Sequence, residues 1–535
     1  MKSRIPRRPG SSWRRRIAGT VGIAAVAAAL LTACGTGDGE PEDPADAGGT
    51  LTIGLTSDVG KFDPLSSNNP IYNMFAYATP VYQEPDGSFE PYLAESWEFS
   101  DDSTSVTLNL RDDAVFSDGT AVDAQAVVDT MDRFRTSTSP KQFQAKLVSE
   151  VTADDEHTVT VSFSKAVPQS YALALLSQGN AFGMVTGASG LDDPTTIEQA
   201  TLGAGPYVLD TAQTVEGTEY HFVPNEHYFA PETVTYDEIV IKPYADATSL
   251  ANAATTGQVD FAVTLSAANA TSAQDAGLTI SQGALGIGGS GTAMIVFADR
   301  TTGPTADERV RQAIALALPR DEINDSLYGG WAAAQSTPVY SGVAGYSETD
   351  AFAYDVDRAR ALLEEAGYGD GFTLEITDPS SYDPGSTLGQ AVQSALAEIG
   401  ITVDLIPNND DFTQIGAKVL AGEFDTFIYT SPGSDVFGLV ENYMAGTANL
   451  NPHAEELPAE VTELLDAAIS APAEEQDAAL AEVTDAVTET AWFATVVAIP
   501  RISAVSSDVT GVPETYATAE LSPYSPVEGQ SWSGQ

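Results

Sequence analysis

Cysteine is almost absent: the 535 residues hold one, Cys34. An intrachain disulfide, a cysteine-ligated zinc site and a thiol nucleophile in the folded part are therefore excluded. Histidine is nearly as scarce, with His157, His221, His227 and His453 scattered along the chain. Only His221 and His227 are close in sequence, and Pro224 between them spoils a common strand face, so no structural metal is expected. Basic residues are the third deficit: 23 Lys and Arg stand against 76 Asp and Glu, a formal net charge of −53. Such a surface repels phosphate backbones and anionic headgroups, which excludes nucleic acid as a partner. A compositional bias toward Ala, Asp, Glu and Gly, or adaptation to salt, accounts for the acidity as a whole. Enzyme signatures are missing too: there is no G-x-S-x-G, no H-E-x-x-H and no P-loop. Gly286 to Gly291 does fit G-x-G-x-x-G, yet it runs into the β-like TAMIVFAD instead of opening a helix. It reads as a glycine-rich loop between strands. With no paired carboxylates to place for hydrolysis, neither an enzyme nor a cofactor is expected.

What is present begins with a leader. Residues 1 to 16 carry Lys2, Arg4, Arg7, Arg8, Arg14, Arg15 and Arg16 and no acid, and IAGTVGIAAVAAALLTA follows from Ile17 to Ala33 without charge or proline. A transmembrane helix needs about 20 predominantly apolar residues; this run is shorter, Ala-rich and followed at once by Gly, Asp, Glu and Pro, so residues 1–33 read as a signal peptide. Leu31-Thr32-Ala33-Cys34 resembles the bacterial lipobox, which implies that Cys34 becomes the first mature residue and carries a diacylglycerol on its sulfur. Each buried methylene contributes roughly 0.8 kcal/mol, and two or more chains make a stable anchor. Arg14-Arg15-Arg16 resembles a twin-arginine signal, but the residues after it match poorly, so both export routes stand. The expected location is the extracytoplasmic face of the cell membrane, held by the acyl anchor.

The stretch 34–49 has no large apolar side chain and several Gly, Pro and acids, so it reads as a flexible linker. Beyond it the chain exceeds what one core organises, and two or three domains are expected. Alternating runs at Thr50 to Thr56, SVTLNLR, HTVTVSF and DEIVIKPY predict strands. AVDAQAVVDTMDRF, DERVRQAIALAL, VDRARALLEEAGY, TLGQAVQSALAEIG and EVTELLDAAIS place apolar residues at three- and four-residue spacing and predict helices. Asp355 is positioned to cap the third of these, and Gly367 and Gly400 to end helices. The fold class is α/β without repeats. Arg309 and Arg311 are expected on the exposed face of a helix beside Asp307 and Glu308.

The run PYLAESWEFSDDSTSVTLNLRDDAVFSDGTAVDAQAVV resembles the signature region of the family 5 solute-binding proteins that serve dipeptide, oligopeptide and nickel ABC importers. Further blocks recur in the family's order: GAGPYVL at Gly203, NEHYF at Asn225, TTGQVDFAV at Thr255, DERVRQAIALALPRDEI at Asp307, YDVDRARALLEEAGY at Tyr354 and SALAEIGITVDL at Ser394. The resemblance implies a periplasmic-binding-protein-like fold, two lobes made of three domains that close by a hinge around a ligand cleft. Domain I would combine 50–85, 200–300 and 495–535, domain II would be 86–199, and domain III 301–494. It implies a monomer that captures a peptide or other small solute and delivers it to an ABC permease and ATPase complex. A sensory or adhesive lipoprotein on the same fold is the alternative.

Oligopeptide binders of this family commonly pair the peptide α-amine with an Asp in a W-x-x-D-Y-type segment. Here that segment reads GEFDTFIYTSPGSDVFGL, with Tyr429-Thr430-Ser431-Pro432 where the pattern would fall. The expected Asp is missing and Asp435 is the nearest substitute, which opens the field to a blocked or modified peptide, a sugar oligomer or a metal chelate. His453 alone makes no metal site. Ligand contacts are expected from Phe62, Asp63, Asn68 and Tyr72 on the connection after the first strand, from Trp331 at the cleft mouth, and from Tyr429, Thr430 and Asp435 on the opposite wall.

Overall fold

Strands and helices alternate along the chain. The computed structural model describes residues 48–534 apart from 68, 284–290, 384, 411, 432–434, 447, 449 and 519–520. Cys34, the leader, most of the linker and Asn68 therefore lie outside the described residues.

The first strand, β1 (Thr50–Leu55), is followed by a long connection and then by an antiparallel unit. That unit contains β2 (Ala94–Phe99), β3 (Ser105–Leu110), α1 (Ala124–Arg135), β4 (Val148–Ala153) and β5 (Thr158–Phe163). Its sheet order is β2-β3-β5-β4. Asp123 caps α1 by accepting from the Ala126 amide at 2.8 Å, and Val127, Met131 and Phe134 form its buried stripe. The chain then returns through β6 (Tyr207–Leu209), β7 (Tyr220–Pro224), β8 (Glu238–Pro243), α2 (Ala247–Thr255), β9 (Phe261–Leu265), α3 (Ala267–Asp275) and β10 (Thr279–Gly283).

The second half runs β11 (Gly291–Phe297), α4 (Glu308–Leu316), α5 (Arg320–Tyr328), α6 (Val356–Glu365), β12 (Phe372–Pro379), α7 (Thr387–Ala397), β13 (Ile401–Asn408), β14 (Thr426–Ser431), α8 (Val436–Leu439), α9 (Ala459–Ile469), α10 (Ala473–Glu489) and β15 (Phe493–Ile499). Two strands close the fold, β16 (Arg501–Val505) and β17 (Thr515–Tyr516). Asp355 caps α6 as expected, accepting from the Arg358 amide at 2.9 Å. Gly367 and Gly400 both take positive φ, 85° and 86°, just beyond helices α6 and α7.

Two large sheets result. The first has the order β17-β10-β16-β9-β1-β8-β7-β6, and the second β13-β12-β14-β11-β15. Gly283 ends a strand of the first sheet and Gly291 begins one of the second, and the chain returns to the first sheet across Pro500. The strand Gly291–Phe297, at the end of the stretch assigned from sequence to domain I, pairs within the second sheet, as does Phe493–Ile499. The glycine-rich stretch Gly286 to Ser290 lies outside the described residues, and the strand that begins at Gly291 follows it.

Each sheet buries its own residues by the two-residue period of a strand. In the second sheet Ala293, Ile295 and Ile428 face a core shared with α4, α6 and α7, while Met294, Val296, Phe427 and Tyr429 face the other way. That second face belongs to one continuous cluster with Leu108, Val127 and Phe182 of the antiparallel unit. Around β1, Ile53 packs with Tyr72, Phe75, Tyr220 and Phe261. Arg309 is exposed and paired with Asp307 at 2.6 Å, but Arg311 is buried, contrary to expectation. Its guanidinium donates to the carbonyls of Ala491, Thr305 and Thr490, which ties α4 to the end of α10.

Candidate functional site

The parallel strands locate the site. In the first sheet β1 runs parallel to β8 and β9, with Ile53 opposite both Ile241 and Phe261. In the second, β12 runs parallel to β13 and β14. Leu265 at the end of β9 pairs with Ile502, and Ser431 at the end of β14 lies opposite Thr292. Both crossings therefore sit where the parallel strands of each sheet end. Ligands of open α/β sheets bind beyond these carboxyl ends, so the connections after β1, β12 and β14 form the candidate cleft.

The connection after β1 is packed and braced. Phe62 is 4 % exposed, with its ring centroid 5.7 Å from Tyr220 and 6.4 Å from Tyr72. Tyr72 is fully buried and donates to the Ser57 carbonyl at 3.1 Å. Asp63 receives both terminal nitrogens of Arg133, at 3.0 and 2.6 Å, so α1 grips this connection. Lys141 donates to the Pro64 carbonyl at 2.8 Å, and burial lowers its ammonium to about 8. Phe62, Asp63 and Tyr72 thus lie on the connection after β1, with their side chains engaged by the protein itself.

The facing wall is aromatic. Tyr429, 7 % exposed, lies 4.9 Å from the Tyr382 ring, 6.0 Å from Tyr443 and 6.1 Å from Phe427. Burial pushes its phenol well above the ordinary value. Thr430 reaches the Tyr382 carbonyl at 3.5 Å. Asp435 caps α8 by accepting from the Gly438 amide at 2.6 Å, and burial raises its carboxyl to about 6. Trp331 follows Gly329 and Gly330, both with positive φ, and donates from Nε1 to the Thr271 hydroxyl of α3 at 2.9 Å. It links the second lobe to the first beside the crossings, where Ala333 and Ala498 form an isolated bridge.

Two concavities lie elsewhere on the molecule, and neither is lined by these residues. One of about 400 Å³ lies at the end of β10 and takes Gln282, Pro513 and Tyr516 from the first lobe and Tyr340 and Gly342 from the second. The other, about 520 Å³, is lined by Arg320, Ser336, Thr337 and Asp350 and belongs wholly to the second lobe. Among the described residues no three His, Cys, Asp or Glu side chains are grouped to hold a metal, and His453 stands 4.0 Å from Asp299. The side chains grouped here offer ring faces, hydroxyls and one carboxyl. Sequence reasoning missed Arg133, Tyr382 and Tyr443. The spacing of Tyr382 from β12 was a usable signal, because it follows a parallel strand's end just as the segment after β1 does.

Two α/β lobes built on separate sheets and joined by paired crossings are the architecture of the solute-binding proteins. The chain belongs to the bacterial extracellular solute-binding proteins of family 5, whose model matches residues 88–448. It is 26 % identical over 385 residues to the glutathione-binding protein GsiB of Escherichia coli strain K12, covering 70 % of this chain and 71 % of that protein. The structure of NikA from Brucella suis with Fe(III)-EDTA superposes with a TM-score of 0.74 at 21 % identity, over 92 % of this chain and 100 % of NikA. The peptide-bound DppA of Helicobacter pylori gives 0.67 at 19 % identity, over 88 % and 96 %. The fold is that of the periplasmic binding proteins. Among the described residues no helix is long and apolar enough to cross a membrane.

Proposed function

We propose that this protein captures a peptide or similar small solute outside the cytoplasmic membrane and delivers it to the permease and ATPase of an ABC importer. The observation that carries the proposal is the meeting of two sheets at their carboxyl ends across two crossings, within a chain of the family 5 solute-binding class. The glutathione-binding relative and the peptide-bound structural neighbour favour a peptide-like ligand.

Domain I comprises the first sheet, 50–85, 200–283 and 501–535; domain II is the antiparallel unit 86–199; and domain III is 291–499. Tyr382, Tyr429, Thr430, Tyr443 and Asp435 form the solute wall, Trp331 closes its mouth, and Phe62, Asp63 and Tyr72 support the opposite side. With Asp435 committed to a helix cap and partly neutralised by burial, the wall favours ring stacking and hydroxyl contacts over a strong pair with a free α-amine. The protein works as a monomer, held at the membrane by an acylated Cys34, and performs no chemistry on its solute.

Mass spectrometry of the protein extracted from the membranes of its own host tests these points together. The denatured chain should begin at Cys34 and carry the added mass of a diacylglycerol. The native protein should release a small peptide-like solute. An unacylated chain removes the anchor, and a protein that binds no peptide, sugar or chelate in a subsequent thermal-shift screen points to a sensory or adhesive role instead.

A further inference from the structure

Hinged lobes need something that holds them shut, and one short segment touches both the solute wall and domain II. It begins at Asp435, runs through α8 and continues as a π-helical turn, Val440–Met444, closed by the Ala445 amide on the Val440 carbonyl at 2.8 Å. π-Turns are rare and concentrate at functional sites, because the extra residue rotates the side chains that follow. Here the turn divides its side chains between two neighbours. Tyr443 packs on Tyr429 of the solute wall, while Phe437 and Glu441, four residues apart, face domain II.

Domain II receives them with matching chemistry. The Phe437 ring is fully buried, 4.8 Å from Tyr171 and edge-on to it. Lys165 pairs with the Glu441 carboxylate and also stands 5.6 Å over the Phe437 ring, and Lys146 donates to the Glu441 carbonyl at 2.8 Å. The Gln169 amide donates to Gln476 of α10 at 2.8 Å alongside. Domain II is fixed to the first lobe through Arg133 and Asp63, so these contacts bridge the parts that a hinge separates.

We infer that the segment 435–444 is a closure latch, in which Phe437 and Glu441 dock on Tyr171, Lys146 and Lys165 of domain II and hold the two lobes together. The latch concerns closure and stands apart from which solute is bound. The same segment carries Asp435 and Tyr443, so the latch and the solute wall share one element.

Paired spin labels test it without any solute. The full chain carrying Cys34→Ser accepts labelled cysteines at exposed Glu150 in domain II and exposed Glu463 in domain III. Pulsed electron resonance should give a short distance in the otherwise unaltered protein, and Lys165→Gln or Glu441→Gln should raise the longer-distance population at least threefold. The double variant should open no further than the more open single one, because both changes remove the same pair. Lys165 is 45 % exposed, so its replacement leaves the core intact. Distances unmoved by Lys165→Gln, by Glu441→Gln and by Phe437→Ala overturn the latch, and additive opening by the two charge variants overturns the pairing.

Discussion

Asp378 is the residue most at odds with its surroundings. It is 1 % exposed, and neither carboxylate oxygen meets a donor in good geometry; Ser386 and Asp383 are its polar neighbours. Asp383 is itself buried and accepts from the Gly389 amide at 2.8 Å. A Cβ at Gly389 would stand 2.7 Å from an Asp378 oxygen, so glycine is required to leave the carboxyl its space. Burial first, and the Asp383 charge with it, raise the Asp378 carboxyl to about 6. The folded state then binds more protons than the unfolded chain between the ordinary carboxyl value and about 6. Stability contributed by the neutral acid is fully present at low pH and is lost as pH rises through that window. Asp378→Asn should flatten this slope and raise neutral-pH stability by roughly 2 kcal/mol. Urea denaturation at pH 4.5 and 7.5 checks it: an equal gain at both pH values would show that charge is not the cause.

At the scale of elements, the connection that ends α5 shows how much the sequence discloses. The helix after Asp355 was legible because apolar spacing, a capping acid and a terminal glycine agree with one another, while apolar spacing carried those around Asp307, with its capping acid, and Thr387, with Gly400 beyond it. The α/β class followed from alternation and helical spacing, whereas the order of strands in each sheet did not. What no local pattern contains is the partner of each side chain. Asp63 stood out by sequence as a cleft residue, and its bond to Arg133 joins positions 70 residues apart. Arg311 looked like surface beside Asp307, yet the carbonyls of Ala491 and Thr490, some 180 residues away, take it inside together with that of nearby Thr305. Tyr429 was singled out by sequence, whereas Tyr382 and Tyr443 needed the fold to bring them beside it. Trp331 is the case where both levels agree: Gly329 and Gly330 stop α5 and swing the indole across to α3. Trp331→Phe keeps the ring and removes the donor, a loss of about 1 kcal/mol for one hydrogen bond. Calorimetry with the solute recovered from the host protein should show roughly fivefold weaker binding and an unchanged melting temperature. Equal affinity would take the Thr271 bond out of closure.

Across the whole molecule, charge acts on folding and on closure with opposite sign. Self-repulsion among 76 acids and only 23 bases opposes compaction, and added salt screens it, so the melting temperature should rise with ionic strength. The latch depends on attraction instead. Lys165 is 45 % exposed and sits against Glu441, so salt reaches this pair and weakens it. Phe437, buried against Tyr171, is apolar and insensitive to screening, which limits how far the lobes part. Between roughly 0.05 and 0.5 M NaCl, where the Debye length falls from about 14 to about 4 Å, calorimetric melting should move up by several degrees. Over the same range the spin-label distance between domains II and III should shift toward its longer population, and Glu441→Gln should abolish that shift while leaving the rise in melting temperature in place. Were both effects lost together, the ion pair would belong to the stability of the fold and not to its closure.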